Sequence, residues 1–210
     1  MNQLFEFDKI YKNVIGTDEA GRGPAAGGVF AAAVYFPEVT DSLILDLEKL
    51  NDSKKLSEKV RESLYDIIFG ASINSIINIE VEEIEKINIL NSSLKAMKLA
   101  CENVISKARL TDFMTFVDGN KLIKNYKYPQ KYIVKGDGKS ASVAAASILA
   151  KVSRDRYMKE LAEEFPQYRW EKNAGYLTAE HLAAIDKFGL TKYHRASFLR
   201  KHFEKQLTLF

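Results

Sequence analysis

Asp18, Glu19, Asp118 and Asp137 stand where acidic side chains are hard to explain by packing alone. Asp18 and Glu19 close the apolar run Val14-Ile15-Gly16-Thr17 and precede glycines. Asp118 closes FMTFV and precedes Gly119, and Asp137 lies in KGDGKS, between the run KYIV and a long helical segment. In α/β proteins the ends of strands along one sheet edge are where sites are assembled. Carboxylates gathered there repel one another unless a cation neutralises them. Their hard oxygens suit Mg²⁺ or Mn²⁺, ions that keep waters and bind substrate phosphates. Taken singly, each acid has a plain alternative as a helix cap or an Asx-turn, since Asp before Gly is a common turn pair. The coincidence at three strand ends favours the metal reading. Adjacent strand residues point to opposite faces, so Asp18 and Glu19 share a site only where the strand ends or twists. The glycines that follow predict an ending there.

Other chemistries lack their residues. No Ser-His-Asp or Cys-His arrangement is visible, and the three histidines, His181, His194 and His202, all fall late in the chain. Cys101, the only cysteine, excludes an internal disulfide. Its helical spacing with Leu94, Met97 and Val104 marks it as a packing residue. The link GRGPAAGG is glycine-rich but lacks the Gly-Lys-Ser/Thr ending of a phosphate-binding loop.

These acids need strands to carry them. The first strand reads from about Val14 to Asp18 and the second from Gly27 to Phe36, joined by a link too constrained for a helix. A helix begins after Ser57 with Val60, Leu64, Ile67 and Ile68 on one face, and an isoleucine-rich strand spans Ser72 to Glu80. Asn91 or Ser92 caps the next helix, which turns Leu94, Met97, Cys101 and Val104 inward. Strands at Phe113 to Asp118 and Lys131 to Lys135 follow. Ser140 opens a long alanine-rich helix able to pack closely on a sheet, and a last helix starts near Thr178 and stops at Gly189. The pattern is α/β, with helices covering a mixed central sheet.

The 210 residues have a soluble globular composition, 46% hydrophobic and 28% charged. The net charge of +3 says less than its distribution: residues 1–138 carry 18 basic against 20 acidic side chains, and residues 139–210 carry 13 against 8. Cations for phosphates beside carboxylates for metals are what a nuclease needs, although solvated helix faces give the same asymmetry. The N-terminus has no secretory pattern and no long uncharged apolar run occurs, so a cytoplasmic protein is expected.

The segments GTDEAGRGPAAGG (Gly16 to Gly28), LNDSKKLS, FVDGN, VKGDGKSASVAAASILAKVSRD, GYLTAEH and HRASF, in this order, resemble ribonuclease HII. The resemblance spans about Lys12 to Phe198, and DEAGRG separates the chain from the sister type 3 enzymes. It implies a ribonuclease H-like fold: a mixed five-stranded sheet flanked by helices, with C-terminal helices, in one catalytic domain over residues 1–205. It implies an endonuclease that cuts the RNA strand of RNA–DNA hybrids, including 5′ to single ribonucleotides in duplex DNA, leaving 3′-hydroxyl and 5′-phosphate ends.

By the same resemblance Asp18, Glu19, Asp118 and Asp137 are the catalytic metal ligands. They would hold two Mg²⁺ or Mn²⁺ ions, about 3.5–4 Å apart in sites of this type, with Asp18 bridging. Gly21, Arg22 and Gly23 match a loop that reads ribose 2′-hydroxyls, where glycines allow close backbone approach; outside this context a GRG turn would simply join two strands. Tyr176 matches a tyrosine near the deoxyribose after the ribonucleotide, while Ser53, Lys54, Lys139 and Arg195 match positions near phosphates. The chain departs from the family at Gly28, where proline is usual, and at Ala25, where a larger apolar residue is usual. Both changes are expected to loosen the turn behind the recognition loop. Competing readings are a non-catalytic hybrid-binding module and a broader ribonuclease H that needs several ribonucleotides.

Residues 206–210, Gln206-Leu207-Thr208-Leu209-Phe210, resemble the clamp-binding pentapeptide at the ends of bacterial replication and repair proteins. Gln206, Leu207, Leu209 and Phe210 would anchor an extended peptide on the sliding clamp, the enzyme itself acting as a monomer. The alternative is an ordinary helix end packing back on the domain.

Overall fold

The five strands β1 (Val14–Ala20), β2 (Val29–Tyr35), β3 (Ile73–Ile79), β4 (Met114–Asp118) and β5 (Gln130–Ile133) form one sheet in the order β3-β2-β1-β4-β5. The structure is a computed structural model that describes residues 3–207. β1, β2 and β3 pair antiparallel, whereas β1, β4 and β5 run parallel. The expected mixed sheet is therefore present, and its three parallel strands end along one edge.

Period-two alternation divides the central strands between two cores. Ala32 and Val34 of β2 join Leu64 and Ile68 of α3 (Glu58–Ala71) and the alanines of α6 (Ala141–Glu164). Ile15, Ala31 and Ala33 face the other way, onto Met97, Ala100, Cys101 and Val104 of α5 (Ile89–Ala108). Ser57 caps α3 and Ser140 caps α6, each accepting a backbone N–H of the first turn. Small residues bring α6 unusually near: a Cβ built on Gly16 would lie 2.1 Å from the Ser142 carbonyl carbon.

A third apolar cluster joins Met158 and Leu161 of α6 to Tyr168, Trp170, Ile185 and Leu199, and it receives Ala25 and Ala26 from the β1–β2 link. This cluster is built by α7 (Trp170–Asn173), α8 (Ala179–Phe188) and α9 (Ala196–Leu207). Thr178 caps α8 and Gly189 closes it at φ +79°, as expected.

Two readings need correction. β1 does not end at Asp18 but continues to Ala20, because β2 still pairs with it through Glu19↔Ala31 and Ala20↔Phe30. Only its partnership with β4 stops, at Thr17↔Val117. α5 starts at Ile89, earlier than Asn91 or Ser92 implied, because Asn88 adopts φ +65° and its side chain accepts the Asn91 N–H. The short helices α1 (Gln3–Asp8), α2 (Asp41–Asp46) and α4 (Val81–Ile87) show too few turns for a periodic signal. Among the described residues no helix is long and apolar enough to cross a membrane. The tail expected to bind a clamp lies largely outside the description: α9 reaches Leu207, while Thr208 to Phe210 and the side chains of Gln206 and Leu207 are not among the described groups.

Candidate active site

One register step beyond the last parallel pair, Thr17↔Val117, neighbouring strands present Asp18 and Asp118. β5 ends at Ile133, opposite Asp118, and the chain enters a tight turn, Gly136–Gly138, that carries Asp137. Asp118 Oδ1 accepts the Gly136 N–H at 2.7 Å, tying the end of β4 to that turn. Asp18 is buried, and its Oδ1 accepts the Glu19 N–H at 2.7 Å. Glu19 accepts from Arg22 Nη1 at 3.0 Å.

The four acids act on one another. Burial pushes the Asp18 carboxyl well above the ordinary carboxylate range, and the charges of Glu19, Asp118 and Asp137 push it further. Glu19 is raised by burial and by Asp118, against the pull of Arg22. Asp137 is raised by burial, Asp118 and Asp52. Burial opposes the charge on Lys54, yet Asp18, Asp137, Asp52 and Asp118 together hold its ammonium above its usual value. Like charges around a buried carboxylate cost stability that a cation would offset. Among the described residues no three His, Cys, Asp or Glu side chains are already drawn together to hold an ion. The donor set itself, four hard oxygen ligands in mutual repulsion, fits a divalent cation such as Mg²⁺ or Mn²⁺.

A cleft of about 510 Å³ opens beside Asp18 and Glu19, and Gly21, Arg22, Gly23, Ser53, Lys54 and Tyr176 also line it. Gly21 takes φ +98°, a conformation glycine tolerates. Gly23 lies under the Tyr176 ring, where a Cβ would sit 3.2 Å from Cε1. Tyr176 itself is 53% exposed, so its ring is open to a ligand. Ser53 and Lys54 occupy a single-turn helix capped by Asp52, which accepts the Lys54 N–H. Lys139 is exposed just after the Asp137 turn, outside the cleft lining.

Arg195 is placed differently from expectation. It is fully buried and donates to the carbonyls of Pro24, Gly27 and Gly28 at 2.7–3.0 Å, so it braces the β1–β2 link from within, with no exposed surface to offer a phosphate. At Ala25 and Gly28, where loosening is expected, the turn is bonded and closely packed. The Ala25 N–H bonds the Gly175 carbonyl at 2.9 Å, and a Cβ on Gly28 would come within 2.1 Å of Asn78 Oδ1, so glycine lets β3 close on the turn. Sequence reasoning passed over Arg154, buried in α6 and bonded to the carbonyls of Ala26 and Ala174. Its signal was legible: it falls four residues after Ala150 and four before Met158, on the buried stripe of the helix. His181 and His194 are buried with Nε2 atoms 3.2 Å apart, and His181 accepts the Trp170 indole N–H at 3.0 Å. They are parts of the third core.

Comparison with known proteins agrees with this architecture. The sequence model of the family described as Ribonuclease HII matches residues 15–206. The chain is 50% identical to a Ribonuclease HII of Fusobacterium nucleatum over 98% of its own length and 94% of the relative's. It is 47% identical to a Ribonuclease HII of Rickettsia bellii, covering 94% and 96% of the two chains. Among solved structures, the ribonuclease HII from a PCNA complex of Archaeoglobus fulgidus superposes with a TM-score of 0.70 at 24% identity, over 87% of this chain and 93% of that one, a likeness of fold.

Proposed function

The chain belongs to the ribonuclease HII family, and from that premise we propose that it hydrolyses the phosphodiester on the 5′ side of a ribonucleotide, including a single one embedded in duplex DNA, leaving 3′-hydroxyl and 5′-phosphate ends. The family cleaves the RNA of RNA–DNA hybrids and is metal-dependent; the chain is a ribonuclease H, an RNA-degrading hydrolase. The observation that carries the finer reading is the mutual charge of Asp18, Glu19, Asp118 and Asp137 beside a cleft that Gly21, Arg22, Gly23 and Tyr176 also line.

In this reading the four carboxylates, Asp18 among them at the centre of the acidic group, would hold the divalent ions, Mg²⁺ or Mn²⁺. Bound divalent ions supply a nucleophilic water and stabilise the leaving 3′-oxygen. The chain's own groups orient the substrate. Backbone groups of Gly21 and Gly23 approach the ribose 2′-hydroxyl without a side chain in the way. Arg22, tethered to Glu19, is half-exposed beside them. Tyr176 offers its ring to the deoxyribose that follows the ribonucleotide. Lys54, kept charged by the surrounding acids, and Ser53 and Lys139 meet phosphates near the scissile bond. The terminal residues Gln206 to Phe210 bind the bacterial sliding clamp, a reading supported by their resemblance to the clamp-binding pentapeptide; the ribonuclease HII of Archaeoglobus fulgidus is itself solved in complex with PCNA.

The test is a labelled DNA duplex with one ribonucleotide, incubated with the protein and Mg²⁺ or Mn²⁺, and the cut mapped. A metal-dependent nick on the 5′ side of the ribonucleotide is expected. Cleavage confined to longer RNA tracts would remove the junction role of the Gly21-Arg22-Gly23 loop and Tyr176. Binding without cleavage in either metal would leave a hybrid-binding module.

A further inference from the structure

We infer that Arg154 is a positioning residue, whose buried guanidinium joins the recognition loop to the Tyr176 segment and sets the gap across which a ribonucleotide–deoxyribonucleotide junction is measured. The inference rests on the junction reading proposed above for Gly21-Arg22-Gly23 and Tyr176.

Arg154 is 2% exposed and reaches across from α6. Its Nη2 donates to the carbonyls of Ala26 at 3.1 Å and Ala174 at 3.0 Å, and its Nε to that of Gly28 at 3.4 Å. Ala26 and Gly28 close the recognition loop, whereas Ala174 lies two residues before Tyr176. Arg195, by contrast, spends its hydrogen bonds on the loop alone.

The nearest acid in sequence, Asp155, forms its ion pairs with Lys151 and Arg61 and acts on Arg154 only through its charge, so a direct ion pair is not what holds the guanidinium here. Burial depresses both arginines, and Arg195 is lowered further by the charge of Arg154. What the guanidinium provides is a rigid planar fork that can hold several carbonyls at fixed angles, which an ammonium on a flexible stem cannot.

The backbone around the joint is fitted to it. Gly21, at φ +98°, lies so close that a Cβ would come within 2.2 Å of Arg154 Nε. Gly175, at φ +80°, would place a Cβ 2.6 Å from the Ala26 carbonyl oxygen. The two segments also bond directly, Ala25 N–H to the Gly175 carbonyl, and Gly23 and the Tyr176 ring meet across the resulting gap. A group that reads the 2′-hydroxyl and a ring that reads the next sugar are thus held at a fixed separation by the Arg154 side chain together with this backbone bond. Positioning of this kind is sensitive, since misplacement by about 1 Å can cost a hundredfold in rate.

The experiment compares kcat and KM of the full-length protein and its R154K variant on two substrates, a duplex with one embedded ribonucleotide and a long RNA–DNA hybrid. In R154K the charge stays and the fork is lost. The expected result is a drop of about tenfold or more in kcat/KM on the single ribonucleotide, against about threefold or less on the long hybrid, where many registers are productive. A proportional loss on both substrates, or an unchanged ratio, overturns the inference. G175A disturbs the same joint from the other side without touching a charge, and the same selective loss is expected of it if R154K does not fold. Failure of both variants to fold overturns the inference by making the joint a general folding determinant. Wild-type protein that leaves the single ribonucleotide uncut overturns the junction reading itself; wild-type cleavage with an unaltered ratio in the variants overturns only the role of Arg154.

Discussion

Gly16 of β1 lies directly beneath the first turn of α6, where a Cβ built on it would come within 2.1 Å of the Ser142 carbonyl carbon and 2.3 Å of the Val143 nitrogen. Both neighbours are backbone, so neither gives way by rotating a side chain. The relationship matters for function because Asp18 is two residues further along β1 and Asp137 is four residues before the start of α6.

Gly16→Ala is therefore expected to force β1 and α6 apart. Overpacking of this kind costs about 3 kcal/mol, which for a chain of this size lowers the melting midpoint by about 10 °C. Thermal unfolding followed by circular dichroism checks it, and a change of only a degree or two would mean that the helix has room to move.

Asp18 gives opposite signs for stability and activity. Its carboxyl is raised above the ordinary 3.8 by burial and by the neighbouring acids. Its contribution to stability is thus fully present below pH 3.8 and is lost as pH rises through the raised folded value. At neutral pH and without divalent ions, Asp18→Asn should melt no lower than the wild type, while cleavage falls by about a thousandfold or more. Saturating Mg²⁺ should stabilise the wild type, by about 2.7 kcal/mol at a hundred times its dissociation constant, and the variant distinctly less. Equal stabilisation of both proteins would remove Asp18 from the metal site.

The paired histidines predict a separate acid transition. His194 is pushed down to about 4 by burial and by His181, and burial lowers His181 as well. The hydrogen bonds require neutral rings: His194 Nδ1 accepts the Thr191 N–H, and His181 Nε2 accepts from Trp170. A depressed histidine contributes stability that is present above the ordinary 6.5 and lost as pH falls toward the folded value. A fall from 6.5 to about 4 amounts to about 3 kcal/mol. Denaturant unfolding between pH 7 and pH 4 should show a loss of this order, and His194→Asn should flatten that slope. A variant with an unaltered slope would place the titration elsewhere.

The sequence carried the sheet and the acids because both are written locally. The apolar run of β2, the serine caps of α3 and α6, and the acids closing apolar runs all lie within a few residues of what they specify. Arg195 was misread because its partners, the carbonyls of Pro24, Gly27 and Gly28, are about 170 positions away, and a motif arginine looks the same whether it faces a phosphate or a backbone. The continuation of β1 to Ala20 escaped for a related reason. Glycines mark where a chain can turn, but antiparallel pairing with β2 on one side outlasts parallel pairing with β4 on the other. Asn88 as the cap of α5 depends on a positive-φ, extended backbone (φ +65°, ψ 163°) that only the folded surroundings impose, so nothing local set it above Asn91 and Ser92 nearby.

The tail offers a prediction independent of the active site. α9 is helical as far as Leu207, so the first two residues of the proposed clamp-binding peptide begin at a helix end. Helix ends fray readily, and an extended peptide can form there at modest cost once its leucines and phenylalanine find a pocket. Deleting residues 206–210 should leave kcat/KM on a short duplex unchanged while weakening binding to the bacterial sliding clamp by about tenfold or more, the scale of losing anchor side chains. A synthetic peptide of the last ten residues should compete with the full chain for the clamp. Surface plasmon resonance on immobilised clamp reads both effects. Unchanged affinity after deletion would mean that these residues only pack against the domain, and that any association with the replication machinery runs through another surface.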